Sequence, residues 1–516
     1  MGETMKGDGL EQGARPEAPA AGSGVQTAVE PGAQPEVPAA EPYERVVDGQ
    51  FIAAVVGTGL LTFSGTVIET AMNVTFPTLM EEFGVGTSTV QWLTSGYLAV
   101  IACVIALSSY LKHGFKTLTL HLASDIVFAV GVVLCILAPN FPVLLIGRLL
   151  QGVGLGIALP LMFNIILEQA PLDKMGLFMG VANLITGLAP AFGPALGGFI
   201  LDALGWRWIF IVMVPVLLLS FVLGVYGIRQ VSPVERARFP LIDYLLLVAC
   251  FACVVLGVNS AADAGWLSAQ VLGLLAGALV AGAAFVARSL HAEDPLIRIQ
   301  VFFTPAFTFS VLVILCVQFI TLSVSYLIPN YVQLALGTSS FISGLLLLPG
   351  CVLSSLTSPA SGNVADRIGF KAPILVGNAF ILAGTALFAC LGVQVGEWGL
   401  AGCFIVYMIG VGSTVGNTMT NGLNQLPDEI QADGNAVINT LQQLAGALGS
   451  SVASSILSAA QVAAGGDMVA GSIAGAHQVF VVIFVAGAVI LCCSLAAFWC
   501  IKRGGDREAE RDGGAA

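Results

Sequence analysis

Asp366-Arg367-Ile368-Gly369-Phe370-Lys371 repeats, in altered form, a segment met much earlier in the chain as Lys112-His113-Gly114-Phe115-Lys116. Aligning the glycines matches Arg367 to Lys112 and Lys371 to Lys116. Each segment joins the second and third members of a set of six long apolar stretches, with two more stretches between the sets. A chain built this way reads as two related halves, the arrangement in which repeats rock about a central site.

The stretches themselves lie near 51–75, 90–110, 117–138, 142–167, 175–201, 207–228, 241–262, 266–288, 305–328, 340–361, 372–393, 398–420, 436–461 and 477–501. About 20 apolar helical residues cross a hydrocarbon core, and each is long enough to do so. Charged residues make up only 10% of the 516 and hydrophobic ones 57%, which excludes an ordinary soluble domain. The expected fold is an all-α polytopic membrane protein with fourteen transmembrane helices. Its expected divisions are a tail over 1–48, a six-helix half over 49–228, two linker helices with their loops over 229–300, a second half over 301–501 and a tail over 502–516.

Placing the N-terminus inside puts 17 of the 19 Lys and Arg on the inner face, leaving Arg207 outside and Arg148 within a span. The positive-inside rule therefore orients both termini to the cytoplasm. The first 48 residues are rich in Pro, Ala, Gly and Glu and lack an apolar run, so they are expected to stay unfolded. No cleavable signal precedes the first span, and that span is expected to target the chain. Half of the formal net charge of −12 comes from this tail, so it carries no message about an acidic or nucleic-acid partner. All 11 cysteines fall in or beside apolar spans, which argues against a disulfide framework. Cys250 and Cys253, without a nearby His or acid, read as packing residues. The four histidines are scattered, no metal site is expected, and no P-loop is present for ATP.

Several motifs then resemble one family. Gly362 followed by Asp366-Arg367-x-Gly369-x-Lys371 is similar to the cytoplasmic gating loop of the major facilitator superfamily. Arg148-Leu149-Leu150-Gln151-Gly152-Val153-Gly154-Leu155-Gly156 resembles its fourth-helix motif. Gly187-Leu188-Ala189-Pro190-Ala191-Phe192-Gly193-Pro194-Ala195-Leu196-Gly197-Gly198 resembles the fifth-helix motif of its antiporters. With Trp206-Arg207-Trp208-Ile209-Phe210, Asn439-Thr440-Leu441-Gln442-Gln443 and fourteen spans, residues 50–500 look like the fourteen-helix drug/proton antiporter branch. The segment Glu69-Thr70-Ala71-Met72-Asn73-Val74-Thr75-Phe76-Pro77 looks closest to the lincomycin-efflux-like group. One departure is plain: Leu111 stands where the second half has Asp366, so the charge network of the gating loop is expected in one half only.

The residues also support a physical reading of their own. Gly193 and Gly197, four apart, let another backbone approach closely, while Pro190 and Pro194 interrupt the hydrogen-bond ladder. That serves transport direction or packing alone. Arg148 lies about 9 Å below the outer surface at 1.5 Å per residue, and Glu69, eight residues before Pro77, sits near the same depth. A buried guanidinium needs an acceptor, and intramembrane charges are costly unless used. Glu69 is therefore the first candidate for proton coupling with Arg148 beside it; a permanent ion pair is the structural alternative. His121 and Asp125, one turn apart in the third span, form either a local salt bridge or an accessory proton relay. Asp243, at an interface, has a positional role.

No acid lies deep in spans nine to fourteen. Amides stand there instead, Gln318, Asn330, Asn417, Asn421, Asn439, Gln442 and Gln443, which suit a bulky amphipathic ligand or link helices to one another. The candidate substrate cavity draws on Phe63, Tyr97, Asn183, Gln318, Tyr326, Asn417, Asn439 and Gln443. With the direction taken from the family resemblance, these features point to proton-coupled efflux of lipophilic or amphipathic compounds by alternating access, with no cofactor. The partners expected are a small lipophilic substrate, protons and the lipid bilayer, with no nucleic acid; the oligomeric state is left open, a monomer being compatible with the reading. A dedicated metabolite exporter or an uptake symporter of the same fold is the alternative. A membrane enzyme would need a cluster of acids, histidines or metal ligands that is not evident, and a ligand sensor would bind without moving its ligand.

Overall fold

The computed structural model describes residues 46–171, 174–231, 234, 239–292, 295–465 and 467–513. The N-terminal tail up to residue 45, Arg236, Arg238 and the side chain of Asn183 lie outside the described residues. The first half runs through α1 (Gly49–Phe83), α2 (Thr87–Val90), α3 (Trp92–Ile105), α4 (Ser108–Gly114), α5 (Thr117–Ile136), α6 (Phe141–Gln169), α7 (Met175–Leu204) and α8 (Arg207–Gly227). Two inserted helices follow, α9 (Leu241–Ala264) and α10 (Ala269–His291). The second half holds α11 (Pro305–Leu336), α12 (Ser340–Leu345), α13 (Leu348–Ile368), α14 (Lys371–Leu391), α15 (Glu397–Leu423), α16 (Asp428–Ala463) and α17 (Met468–Gly513).

Among the described residues, 13 helices are long and apolar enough to cross a membrane, α2 with α3 and α12 with α13 each counting as one span. The expected span at 436–461 falls in α16. That helix is 36 residues long, about 54 Å at 1.5 Å per residue, but amides and serines dilute its apolar surface. It is packed between α11, α3, α17 and α9, so its polar groups meet protein rather than lipid.

Helices outrun the apolar stretches because they end at caps, not where charge begins. Asp48 caps α1 by accepting from the Phe51 N–H at 2.8 Å, and Asn140 caps α6 by accepting from Val143 at 3.1 Å. At the other ends, Gly84 (φ 63°) and Gly337 (φ 66°) take the left-handed conformation that stops α1 and α11. Large apolar side chains such as Leu218, Val222, Leu279 and Val280 face outward, the reverse of a water-soluble surface and the expected state of a lipid-facing one.

The bundle has two ends. At one, called here the tail end, Lys112 of α4 pairs with Glu168 of α6 at 3.0 Å, and Arg229 bonds Asp48 and Gln50. At the far end, Glu82 in the last turn of α1 accepts from Trp206 Nε1 at 2.7 Å and Arg207 Nη1 at 2.9 Å. Arg207 also lies over the Trp206 ring, 4.2 Å from its centre, and donates to the Ala138 carbonyl, so the Trp206-Arg207 pair ties three helix ends together.

Candidate functional site

Small residues set how closely the helices approach. A Cβ added to Gly193 of α7 would fall 1.9 Å from Thr70 Oγ1 of α1, and one on Gly197 would fall 2.6 Å from Ala71 Cβ. Gly198 and Pro194 face the opposite half: a Cβ on Gly198 would lie 2.3 Å from the Ser340 carbonyl oxygen, and one on Gly344 would lie 2.0 Å from that of Pro194. Gly187 accepts from Ser355 Oγ of α13 at 3.3 Å. The antiporter-like motif thus lays α7 against α1 on one side and α12 and α13 on the other. Despite Pro190 and Pro194, α7 is continuous from Met175 to Leu204.

Arg148 is fully buried in α6. Its guanidinium stacks 4.0 Å from the centre of the Tyr97 ring, donates to Gln151 Oε1 at 2.7 Å and to the Leu93 carbonyl at 3.3 Å, and leaves Nη2 without a partner. The Tyr97 hydroxyl donates to the Gly65 carbonyl of α1 at 3.0 Å. Gly65 stands one turn before Glu69, whose side chain is buried on the same helix with no hydrogen bond or ion pair among the described residues. Glu69 and Arg148 are therefore linked through Tyr97 and α1 rather than by direct contact. One turn past Glu69, Asn73 accepts from Thr94 Oγ1 at 3.0 Å, and its carbonyl accepts from Asn330 of α11 at 3.2 Å. Gln333 of α11 donates to the Val74 carbonyl at 3.0 Å.

Those last bonds belong to a set that closes the far end between the halves. Thr87 donates to Gln461 at 2.8 Å, Ser454 donates to the Thr87 carbonyl at 3.2 Å, and the Phe341 N–H donates to Asp202 at 2.8 Å. At the tail end lies the loop expected to act as a gate. Asp366, Arg367 and Lys371 are exposed and have no ion pair among the described residues, Gly362 has free space where a Cβ would be, and Gly369 (φ 85°) ends α13.

His121 and Asp125 form a second buried cluster, Nε2 to Oδ2 3.0 Å. Ser220 of α8 lies 3.2 Å from both Asp125 oxygens and donates to the Gly57 carbonyl of α1 at 2.8 Å. Gly224 makes room for the imidazole, since a Cβ there would sit 1.8 Å from His121 Nε2. Asp125 also lines a cavity of about 130 Å³ between α5 and α8, walled by Val132, Val214 and Leu217 and rimmed by the exposed Ile126 and Leu218. Asp243 pairs with Arg288 and so pins α9 to α10.

The cavity residues proposed above do not converge on one open space in this conformation. Tyr97 and Tyr326 are fully buried, the latter 5.9 Å from the Phe76 ring. Asn417 bonds Ser361 at 2.7 Å and so ties α15 to α13, while Gln442 donates to Gln318 at 3.2 Å and ties α16 to α11. Asn439 bonds Asn435 within its own helix, and Phe63, Gln318, Asn439 and Gln443 keep partial exposure. The contributions of Gln151, Ser220 and Gly57 were missed in the sequence. Gln151 stands one turn from Arg148 and Ser220 interrupts a pure apolar run, which were the available signals.

The Major Facilitator Superfamily profile matches residues 58–450. Lincomycin resistance protein LmrB of Listeria monocytogenes is 38% identical over 444 residues, covering 84% of this chain and 94% of that protein. The Bacillus subtilis protein of that name is 36% identical over 404 residues, 78% of this chain and 84% of that one. A multidrug resistance protein B homolog of Mycobacterium tuberculosis is 31% identical over 401 residues, 75% and 73%. Among solved structures, a POT family transporter superposes with a TM-score of 0.64 at 15% identity, over 87% of this chain and 96% of that one. A bacterial homolog of the lysosomal transporter Spinster, in an inward-facing state, gives 0.62 at 13%, over 88% and 99%. These structures share the fold, and with the profile and the LmrB likeness they place the chain in the Major Facilitator Superfamily, in the group that includes the lincomycin resistance proteins.

Proposed function

We propose that this protein exports lipophilic or amphipathic drugs in exchange for protons, by alternating access between its two six-helix halves. The far end is the external one, both termini are cytoplasmic, and the membrane is the plasma membrane; the distribution of Lys and Arg supports that orientation. The efflux reading draws on the lincomycin and multidrug resistance proteins that the chain resembles.

The observation that carries the coupling is the position of Glu69. One turn before it, Gly65 receives the Tyr97 hydroxyl that lies under Arg148; one turn after it, Asn73 and Val74 hold α11 across the external closure. Proton uptake or release at Glu69 changes the charge between the arginine cluster and the gate, so occupancy of the site and opening of the external side bias each other. Asp125 with His121 serves as an accessory relay. Gly187, Pro190, Gly193, Pro194, Gly197 and Gly198 hold the external seam closed between strokes, and Gly362 through Lys371 form the cytoplasmic gating loop. Moving one proton inward across 100 mV releases about 2.3 kcal/mol, enough to sustain a roughly fiftyfold gradient of an uncharged substrate; one-for-one exchange with a monovalent cation moves no net charge and is driven by the pH gradient alone.

The test is uptake into inverted membrane vesicles carrying the protein, with an imposed proton gradient and a panel of lipophilic cations and lincosamides. Gradient-driven accumulation that collapses with a protonophore supports the reading. Accumulation that persists without a gradient, or substrate movement in the same direction as protons, contradicts it.

A further inference from the structure

The inserted helix α9 touches both halves with two adjacent residues. Asn259, 4% exposed, donates from Nδ2 to Ser95 Oγ of α3 at 2.9 Å. The carbonyl of the preceding Val258 accepts from Ser455 Oγ of α16 at 2.9 Å. Earlier in α9, Leu247 and Phe251 share one apolar cluster with Ala102 of α3, with Ala106 just past its end, and with Val437 and Ile438 of α16. α9 therefore runs along the seam between α3 and α16, while α10 packs on its outer side and is largely exposed.

Ser455 is next to Ser454, which bonds the Thr87 carbonyl of the first half directly. One turn of α16 thus holds the first half twice at the far end, once through Thr87 and once through α9. We infer that α9 is a strap across the external seam, with Asn259 as the positioning residue that keeps the far end closed until transport opens it. The two bonds act in series: Ser455 fastens α9 to the second half and Asn259 fastens it to the first. Parting α3 from α16 breaks at least one of them in a setting where no water replaces the lost bond. Cutting either one removes the polar fastening at the far end, and cutting both removes no more of it, the apolar packing of Leu247 and Phe251 remaining in each case.

The inference rests on alternating access as proposed above, and the experiment separates the two. Nitroxide labels on unnatural amino acids at position 86, which is exposed, and position 338, which is half-exposed, on the far-end connections of opposite halves, report their distance in nanodisc-held full-length protein. Asn259→Leu and Ser455→Ala each raise the ratio of wide to narrow distances about threefold, the typical weight of one buried interhelical hydrogen bond. The double variant gives no more than the larger single effect, and Ser455→Thr, which keeps the hydroxyl, restores the wild-type ratio. Unchanged ratios in both single variants, or effects that multiply in the double variant, overturn the strap while leaving alternating access intact. One fixed distance in every variant and with every ligand overturns alternating access and the strap with it.

Discussion

The Arg148 guanidinium lies 4.0 Å from the centre of the Tyr97 ring, and the hydroxyl of that ring is bonded to Gly65, one turn from Glu69. In the proposed exchange, a charge buried on an aromatic face rather than on a carboxylate leaves the acid of α1 to take up and release the proton. The same ring bridges Arg148 to the helix that carries the acid.

Tyr97→Phe keeps the ring under Arg148 and removes only the bond to Gly65. It is expected to cost about 1 kcal/mol of stability, the net worth of one hydrogen bond, while retaining folded, substrate-binding protein. Arg148→Lys loses the planar fork that serves Gln151 and Leu93 together and is expected to lower transport at least tenfold. Thermal unfolding and transport measured side by side check both; an Arg148→Lys protein with full activity contradicts the role given to the guanidinium.

The glycines of α7 make a sharper contrast. A methyl at Gly198 meets the Ser340 backbone across the halves, whereas a methyl at Gly362 meets nothing within 4 Å. Gly198→Ala is expected to open the far end, seen as faster labelling of a cysteine at Ser340 by an impermeant thiol reagent. Gly362→Ala should leave that rate unchanged.

Ser220→Ala removes the hydroxyl shared by Asp125 and Gly57. A buried acceptor left unsatisfied costs about 1–3 kcal/mol, so the melting temperature should fall by several degrees, and Ser220→Thr should recover part of the loss. Equal melting temperatures for wild type and Ser220→Ala would show that the cluster does not hold α5, α8 and α1 together.

At the start of α1, Asp48 accepts from the Phe51 N–H and pairs with Arg229, and these hold its carboxyl below the usual carboxylate range. A depressed folded-state pKa contributes stability that is complete above the unfolded value, about 3.9, and is lost as pH falls through the folded one. The first turn of α1 should therefore be protected at pH 7 and fray under strong acid. Amide exchange corrected for intrinsic rates should show this in wild type, while Asp48→Ala should be frayed at both pH values.

Much of this was legible in the chain. Apolar length and the confinement of charge located the spans, and the Gly114 and Gly369 repeat gave the division into halves. Glu69, Arg148, His121 and Asp125 stood out because charge in lipid demands a reason. What was not legible depends on apposition between helices. Ser220 meets Asp125 only because Gly57 and Gly224 bring α1, α5 and α8 close, and no spacing along the chain encodes that meeting. The seam position of α9 is hidden likewise, since Asn259 and Val258 read as one polar and one apolar residue in an ordinary span. α16 was located but its polar first two turns, residues 428–435, were not, because apolarity marks the bilayer and caps mark the helix.

The most direct test is proton movement in proteoliposomes with an imposed pH gradient, comparing wild type with Glu69→Gln on addition of a lipophilic cation. Substrate-dependent proton release in wild type, abolished in Glu69→Gln although the variant still binds the cation, is the predicted result. Undiminished proton release from Glu69→Gln would contradict the account and move the coupling away from α1.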